Sequence, residues 1–141
     1  MAGLVNADNR EAPRRSTRIL VVDDERPITS TLAAILGYQG YETAIAHSGE
    51  QAIQVASSFR PDFVVSDVVM GGMNGVEAAL EILRILPECK VLFISGGAYI
   101  DPLEDARSKG FNFELLCKPV PAPELLGKIS QMLSTGGSSA E

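Results

Sequence analysis

The sequence predicts a single α/β domain with five parallel strands and helices on both faces of the sheet. Apolar runs of strand length alternate with stretches of helical period, which is typical of a parallel sheet with helical crossovers. The 141 residues are 45% hydrophobic with a mean hydropathy of +0.12, which suits one domain with one core. Right-handed crossovers and this number of elements favour the doubly wound strand order 2-1-3-4-5.

Five short apolar runs are predicted as the strands, with RILVVD and KVLFIS as the clearest examples. In chain order the strands cover residues 18–23, 42–46, 62–67, 90–95 and 113–117. In the predicted order, strands one and three are neighbours at the point where the winding reverses. Ligands of such sheets bind beyond the carboxyl ends of the strands there.

Helix start signals separate these strands. The predicted helices cover about 27–38, 49–58, 75–86, 102–109 and 123–133. Pro27 falls in a first turn, where its missing N–H loses no hydrogen bond. Ser48 precedes Gln51 by three residues, and Asn74 precedes Glu77 by three, so both pairs have the spacing of a capping box.

Polar segments flank the predicted domain. We expect residues 1–17 to form a flexible tail, residues 18–134 the folded domain and residues 135–141 a flexible, linker-like tail. No apolar run approaches the roughly 20 residues that span a bilayer, and the N-terminal residues lack the apolar segment of a signal peptide. The expected location is therefore the cytoplasm, without membrane contact.

Charge and cysteine content exclude some classes of function. A net charge of −6 argues against direct nucleic-acid binding by this domain, because a phosphate backbone would be repelled. Cys89 and Cys117 form neither a CxxC motif nor a metal cluster, so they are interpreted as two reduced thiols.

Charged and hydroxyl side chains follow four of the predicted strands. Asp23 ends strand one and Asp24 follows it, Asp67 ends strand three, Ser95 ends strand four and Lys118 follows strand five. Three carboxylates so close together repel, and one would take up a proton unless a cation intervened. Mg²⁺ suits a site of few carboxylates, waters and a phosphoryl oxygen. A carboxylate can also attack phosphorus to form an aspartyl phosphate, as Asp67 could here.

Four short motifs resemble the receiver domain of two-component response regulators. They are VVDDE at 21–25, SDVVMGGMNG at 66–75, ISGG at 94–97 and CKPV at 117–120. The resemblance covers about residues 18–134, and the order and spacing of the motifs are specific. It implies a signalling domain rather than an enzyme, with a flavodoxin-like fold, that assists its own phosphorylation and dephosphorylation.

The resemblance also implies roles for individual residues. Asp67 would take a phosphoryl group from the phosphohistidine of a sensor histidine kinase or a phosphotransfer protein, assisted by Lys118 and Ser95. Asp24, Asp67 and the backbone carbonyl of Val69 would bind Mg²⁺ directly, and Asp23 largely through water. The Lys118–Pro119 bond would be cis. The signal would pass through the surface around helix 4, strand 5 and helix 5 to a target that the sequence does not identify.

Some positions depart from the usual receiver pattern. Leu115 stands three residues before the lysine, where receivers typically carry Tyr or Phe. Either Phe113 or Tyr99 substitutes as the switch residue or, as we favour, both simply pack. Gly71 replaces the usual proline, which predicts a looser loop after Asp67. Val69 and Gly97 occupy positions that tune phosphoryl lifetime in the family, and neither side chain can hold a water by a hydrogen bond.

The residues disfavour two of three rival functions and leave the third open. A flavodoxin-type electron carrier needs a phosphate cradle after strand one, whereas this chain has Asp23-Asp24-Glu25-Arg26-Pro27 there. An aspartate-nucleophile phosphatase needs a second acid two residues after the nucleophile, where Val69 stands. A degenerate receiver would act as a phosphorylation-independent protein-interaction module, which Leu115 makes credible.

Overall fold

Five strands and five helices alternate along residues 16–96 and 101–134, the part of the chain that a computed structural model describes. The strands are β1 (Arg18–Val22), β2 (Glu42–Ala46), β3 (Phe63–Asp67), β4 (Lys90–Ser95) and β5 (Glu114–Cys117). The helices are α1 (Arg26–Tyr38), α2 (Gly49–Phe59), α3 (Gly75–Ile85), α4 (Asp101–Ser108) and α5 (Ala122–Ser134). Each boundary lies within one residue of its predicted position.

The strands form one parallel sheet in the order β2-β1-β3-β4-β5, which confirms the predicted doubly wound topology. The register brings the carboxyl ends of the strands level with one another. Val22 pairs with Ser66, Asp67 with Ile94, and Ser95 with Cys117. The residues that leave β1, β3, β4 and β5 therefore meet at one edge of the sheet.

Apolar side chains alternate between two buried layers, one on each face of the sheet. One layer packs Val21, Val65 and Ile94 against Leu36 of α1 and Leu125 of α5. The other packs Val22, Val64 and Phe93 against α2, α3 and α4. Burying each large side chain contributes about 1.5–3 kcal/mol, so the two layers hold the strand ends in a fixed arrangement.

The helix start signals are confirmed at α1 and α3 and only half confirmed at α2. Asn74 and Glu77 form a complete capping box at the start of α3, and Pro27 lies in the first turn of α1. Ser48 accepts a hydrogen bond from the Gln51 amide, but the Gln51 side chain accepts from the amide of His47 instead of Ser48. The spacing therefore identified the cap but not the reciprocal bond.

Several sequence predictions fall outside the described residues. These are the tails, except Ser16 and Thr17, together with Gly97 and Tyr99 in the loop before α4. Within the described ranges, no helix is both long enough and apolar enough to cross a membrane.

Candidate functional site

Asp23 is the most buried acid of the site. It follows β1 directly and is only 3% exposed. One carboxylate oxygen accepts a hydrogen bond from the Glu25 amide at 3.0 Å, and the other accepts from Lys118 Nζ at 3.0 Å. Because a buried charge is costly unless it is paired and hydrogen-bonded, these two bonds explain how Asp23 is tolerated at this depth.

Asp67 ends β3 and shares the same lysine. Its Oδ2 accepts a hydrogen bond from Lys118 Nζ at 3.1 Å, and its Oδ1 accepts from the Val69 amide at 3.3 Å. Its side chain keeps 12% of its surface exposed, so it is less deeply buried than the Asp23 side chain. Asp23 and Asp67 lie two residues beyond Val21 and Val65, which face the same core layer, so both carboxylates leave the sheet on the same side.

Lys118 links the two acids across the sheet. Its backbone N–H donates to the Ser95 carbonyl at 2.8 Å, and its Nζ reaches both carboxylates. Burial acts to lower the pKa of Lys118, but the hydrogen bonds to Asp23 and Asp67 and their charges outweigh it, and the pKa is raised above 10.5. The ammonium is therefore charged at neutral pH. The cis Lys118–Pro119 bond that the resemblance implied is present.

The carboxylates form an oxygen-only cluster that fits a hard divalent cation. Ligand oxygens of Asp23, Asp24 and Asp67 lie within 4.8 Å of one another, and Asp24 is exposed to solvent. A cluster of carboxylates with open coordination positions suits Mg²⁺, which keeps several waters and binds through few protein oxygens. The residues present therefore fit the ion that the sequence implies.

A cavity of about 370 Å³ opens over this cluster. Its lining consists of Asp24, Glu25, Asp67, Val69, Ser95, Gly96 and Lys118. Five of the six residues predicted for the site therefore line one cavity, and the sixth, Asp23, is joined to them by its ion pair with Lys118. Val69 is 41% exposed, and it lines the same cavity as Asp67.

A second cavity of about 240 Å³ lies on the α1 and α5 side of the same cluster. Its lining is mostly apolar and includes Ile28, Leu32, Val120 and Leu125, with Asp23, Asp67 and Lys118 at its polar end. It offers few polar groups to orient a phosphoryl group. The 370 Å³ cavity is therefore the one suited to phosphoryl chemistry.

One departure from the receiver pattern, Leu115, lies on β5. Leu115 is partly buried and packs against the core layer of α2, α3 and α4. Phe113 packs edge-on against Phe93 at 5.2 Å between ring centroids and stacks on Phe111 at 5.9 Å. Phe113 therefore contacts two other aromatic rings, and one of them, Phe93, pairs directly with Leu115 across β4 and β5.

Two residues at the site were missed by the sequence reasoning. The Ser66 hydroxyl donates to the Asp67 carbonyl at 2.8 Å, and Gly75 at the start of α3 leaves no room for a side chain beside that carbonyl. A signal for Gly75 was available, because glycine is a poor choice for a helical residue unless a close contact requires it.

Comparison with known proteins gives one consistent result. Residues 19–130 match the family described as the response regulator receiver domain. A response regulator receiver protein of Anaeromyxobacter sp. is 38% identical over 109 residues, which cover 77% of this chain and 45% of that protein. The response regulator MprA of Mycobacterium ulcerans is 30% identical over 118 residues, which cover 84% of this chain and 50% of that protein. The chain thus spans about half the length of the curated relatives it matches.

Solved structures agree with this match. A receiver domain protein from Methanospirillum hungatei, described as CheY-like, superimposes with a TM-score of 0.81 at 25% identity, covering 89% of this chain and 99% of that one. The response regulator TrrA of Thermotoga maritima, solved in complex with Mg²⁺–BeF, gives a TM-score of 0.71 at 32% identity, covering 82% and 98%.

Proposed function

The chain belongs to the response regulator receiver domain family, and on this premise we propose that Asp67 is its phosphoacceptor. The proposed donor is the phosphohistidine of a sensor histidine kinase or a histidine phosphotransfer protein. Receiver domains are signalling domains rather than turnover enzymes, and residues 18–134 are proposed as this unit. The observation that carries the proposal is the Asp67 carboxylate 3.1 Å from Lys118 Nζ, within 4.8 Å of two further carboxylates and facing an open cavity.

The proposed reaction is a direct transfer. One carboxylate oxygen of Asp67 attacks phosphorus as the P–N bond of the phosphohistidine breaks. The electron pair of that bond stays on the imidazole nitrogen, and a proton from solvent water completes the neutral imidazole. Lys118 keeps its positive charge and stabilises the negative charge on the phosphoryl oxygens. Ser95, at the same cavity, is proposed to donate a hydrogen bond to one of these oxygens.

Mg²⁺ is proposed as the required ion, held by Asp24, Asp67 and the Val69 backbone carbonyl, with Asp23 acting largely through water. When bound, the ion neutralises charge on the phosphoryl oxygens and on the carboxylates. Asp23 is buried and does not line the 370 Å³ cavity, which supports an indirect role.

The output is proposed to pass through the surface of α4, β5 and α5 to a protein target, without direct nucleic-acid binding by this domain. Phe111 and Cys117 are exposed on this surface. A cytoplasmic location is part of the proposal because it is typical of the family.

The test is incubation with Mg²⁺ and acetyl phosphate, followed by intact mass measurement. We expect one added phosphoryl group in the native protein and none in Asp67→Asn or without Mg²⁺. Addition of the same mass to Asp67→Asn would contradict the assignment of Asp67.

A second candidate is a degenerate receiver that acts as a phosphorylation-independent interaction module. Leu115 favours this second candidate, because it packs against the core at the position where receivers usually carry the aromatic side chain that couples the site to the surface. If the native protein takes up no phosphoryl group while still folded, this second function is the better one.

A further inference from the structure

Helix α3 begins directly against the backbone of the proposed phosphoacceptor. The Gly75 amide donates to the Val68 carbonyl at 2.8 Å, and the Ser66 hydroxyl donates to the Asp67 carbonyl at 2.8 Å. The loop from Val68 to Gly75 is thus closed at its base, and it contains Val69, whose carbonyl is a proposed metal ligand.

The contact at Gly75 leaves no space for a methyl group. A Cβ atom built on Gly75 would lie 2.0 Å from the Asp67 carbonyl oxygen and 2.9 Å from Ser66 Oγ, whereas real Cβ contacts are essentially never shorter than 3.0 Å. Gly75 belongs to helix α3, so glycine is needed here for space and not for an unusual backbone angle. Alanine would otherwise be the better helix former at this position.

The helix side of this contact is anchored. Asn74 and Glu77 form a reciprocal capping box with bonds of 2.8 and 3.0 Å, and Val76 and Ala79 are buried in the core. Closely packed interiors transmit such strain instead of absorbing it. A methyl group at Gly75 would therefore displace the Asp67 segment, which carries the reacting carboxylate.

We propose that Gly75 and Ser66 are positioning residues for the Asp67 carboxylate and the Val69 carbonyl, an inference that rests on the proposed function. Gly75 lets α3 approach the Asp67 carbonyl, and the Ser66 hydroxyl fixes the direction of that carbonyl. Relief of the clash in Gly75→Ala requires a movement of about 1 Å, from 2.0 to 3.0 Å. A misplacement of this size can lower a reaction rate about 100-fold.

The chain offers a matched control in the same loop. A Cβ at Gly71 would meet no atom within 4 Å, so Gly71→Ala adds the same methyl group without a clash. For each variant, calorimetry gives the Mg²⁺ dissociation constant of the unphosphorylated protein, and acetyl phosphate at saturating Mg²⁺ gives the phosphorylation rate. Thermal unfolding fixes a temperature at which every variant is folded.

We expect Gly75→Ala to lower the phosphorylation rate about 100-fold and to weaken Mg²⁺ binding about 10-fold, as displaced metal surroundings do. Because Gly71→Ala adds no clash, its phosphorylation rate and its Mg²⁺ dissociation constant should both stay within about twofold of the native values. If Gly75→Ala merely unfolds at a lower temperature but keeps both values when folded, the positioning role is wrong.

Ser66→Ala provides a second variant if Gly75→Ala does not fold. It removes one hydrogen bond, so we expect a loss of about 2- to 10-fold in phosphorylation rate, and an unchanged rate would overturn the role of Ser66. The Mg²⁺ measurement separates the two proposals. If the native protein binds Mg²⁺ but takes no phosphoryl group, the proposed function fails, while weaker Mg²⁺ binding by Gly75→Ala still supports positioning.

Discussion

Replacing Asp24 by asparagine should make the folded protein more stable than the native protein without Mg²⁺ and less stable than it with Mg²⁺. Asp24 lies within 4.8 Å of Asp23 and Asp67, while the ion pairs of Lys118 are made to Asp23 and Asp67. Two unit charges 4.8 Å apart repel by about 0.9 kcal/mol at the dielectric constant of water. Asp24 takes part in two such repulsions, and Lys118 and solvent screening of this exposed residue reduce their sum. Without Mg²⁺ we therefore expect Asp24→Asn to be about 1 kcal/mol more stable than the native protein. This corresponds to a rise in Tm of about 4 °C.

With Mg²⁺ the order should invert. At 100 times its dissociation constant, an ion that binds only the folded state stabilises it by about 2.7 kcal/mol. Asp24→Asn removes a proposed direct ligand and should lose most of this gain. The assay is thermal unfolding with and without Mg²⁺, and Glu25→Gln is the control because it makes the same charge change one residue away. An equal Mg²⁺ response in the native protein and Asp24→Asn would refute the reasoning.

Further predictions concern shielding, thiol reactivity and pH. Val69→Asn should change the decay rate of the phosphorylated protein measured by mass, because Val69 is proposed to shield Asp67, with which it lines one cavity; an unchanged rate would exclude such shielding. Iodoacetamide at pH 8 should modify the exposed Cys117 first, since burial and then the charge of Asp62 raise the pKa of Cys89 to about 12; early labelling of Cys89 would be inconsistent with the fold. The raised pKa of Lys118 means that its ion pairs stabilise the folded state at neutral pH and that this contribution is lost only above about pH 10.5. The difference in the free energy of unfolding in urea between the native protein and Lys118→Met should therefore stay constant from pH 7 to 10. A decline within that range would contradict the raised pKa of Lys118.

The fold was predictable because local and global signals agree in this chain. Each strand is an apolar run between helix signals such as Pro27 and the Asn74–Glu77 box, so the order of elements follows directly from the sequence. Parallel pairing then leaves few allowed topologies. The meeting of Asp23, Asp67 and Lys118 at one edge follows from that topology.

The contacts between side chains and backbone were not predictable in the same way. The Ser66–Asp67–Gly75 contact depends on how closely α3 approaches β3, a distance that no sequence spacing encodes. The same holds for Gln51, whose side chain bonds to the His47 amide instead of completing the expected capping box. Which of these hydrogen bonds and contacts form depends on differences of about 1 Å in how the helices and strands pack.

The departure at Leu115 shows a further limit. The sequence suggested Phe113 or Tyr99 as a substitute for the missing aromatic side chain. Phe113 packs between Phe93 and Phe111, and Tyr99 lies outside the described residues. The packing of Phe113 identifies its neighbours but not its movement on phosphorylation, so its role as a switch stays a prediction.

The most direct test of the central claim is chemical mapping of the phosphorylated residue. Borohydride reduces an aspartyl phosphate to homoserine, which fragment masses locate in the chain. After treatment with acetyl phosphate and Mg²⁺, we predict homoserine at position 67 and at no other position. Homoserine at another aspartate, or a stable phosphoryl group on His47 in place of it, would contradict the assignment of Asp67 as the phosphoacceptor.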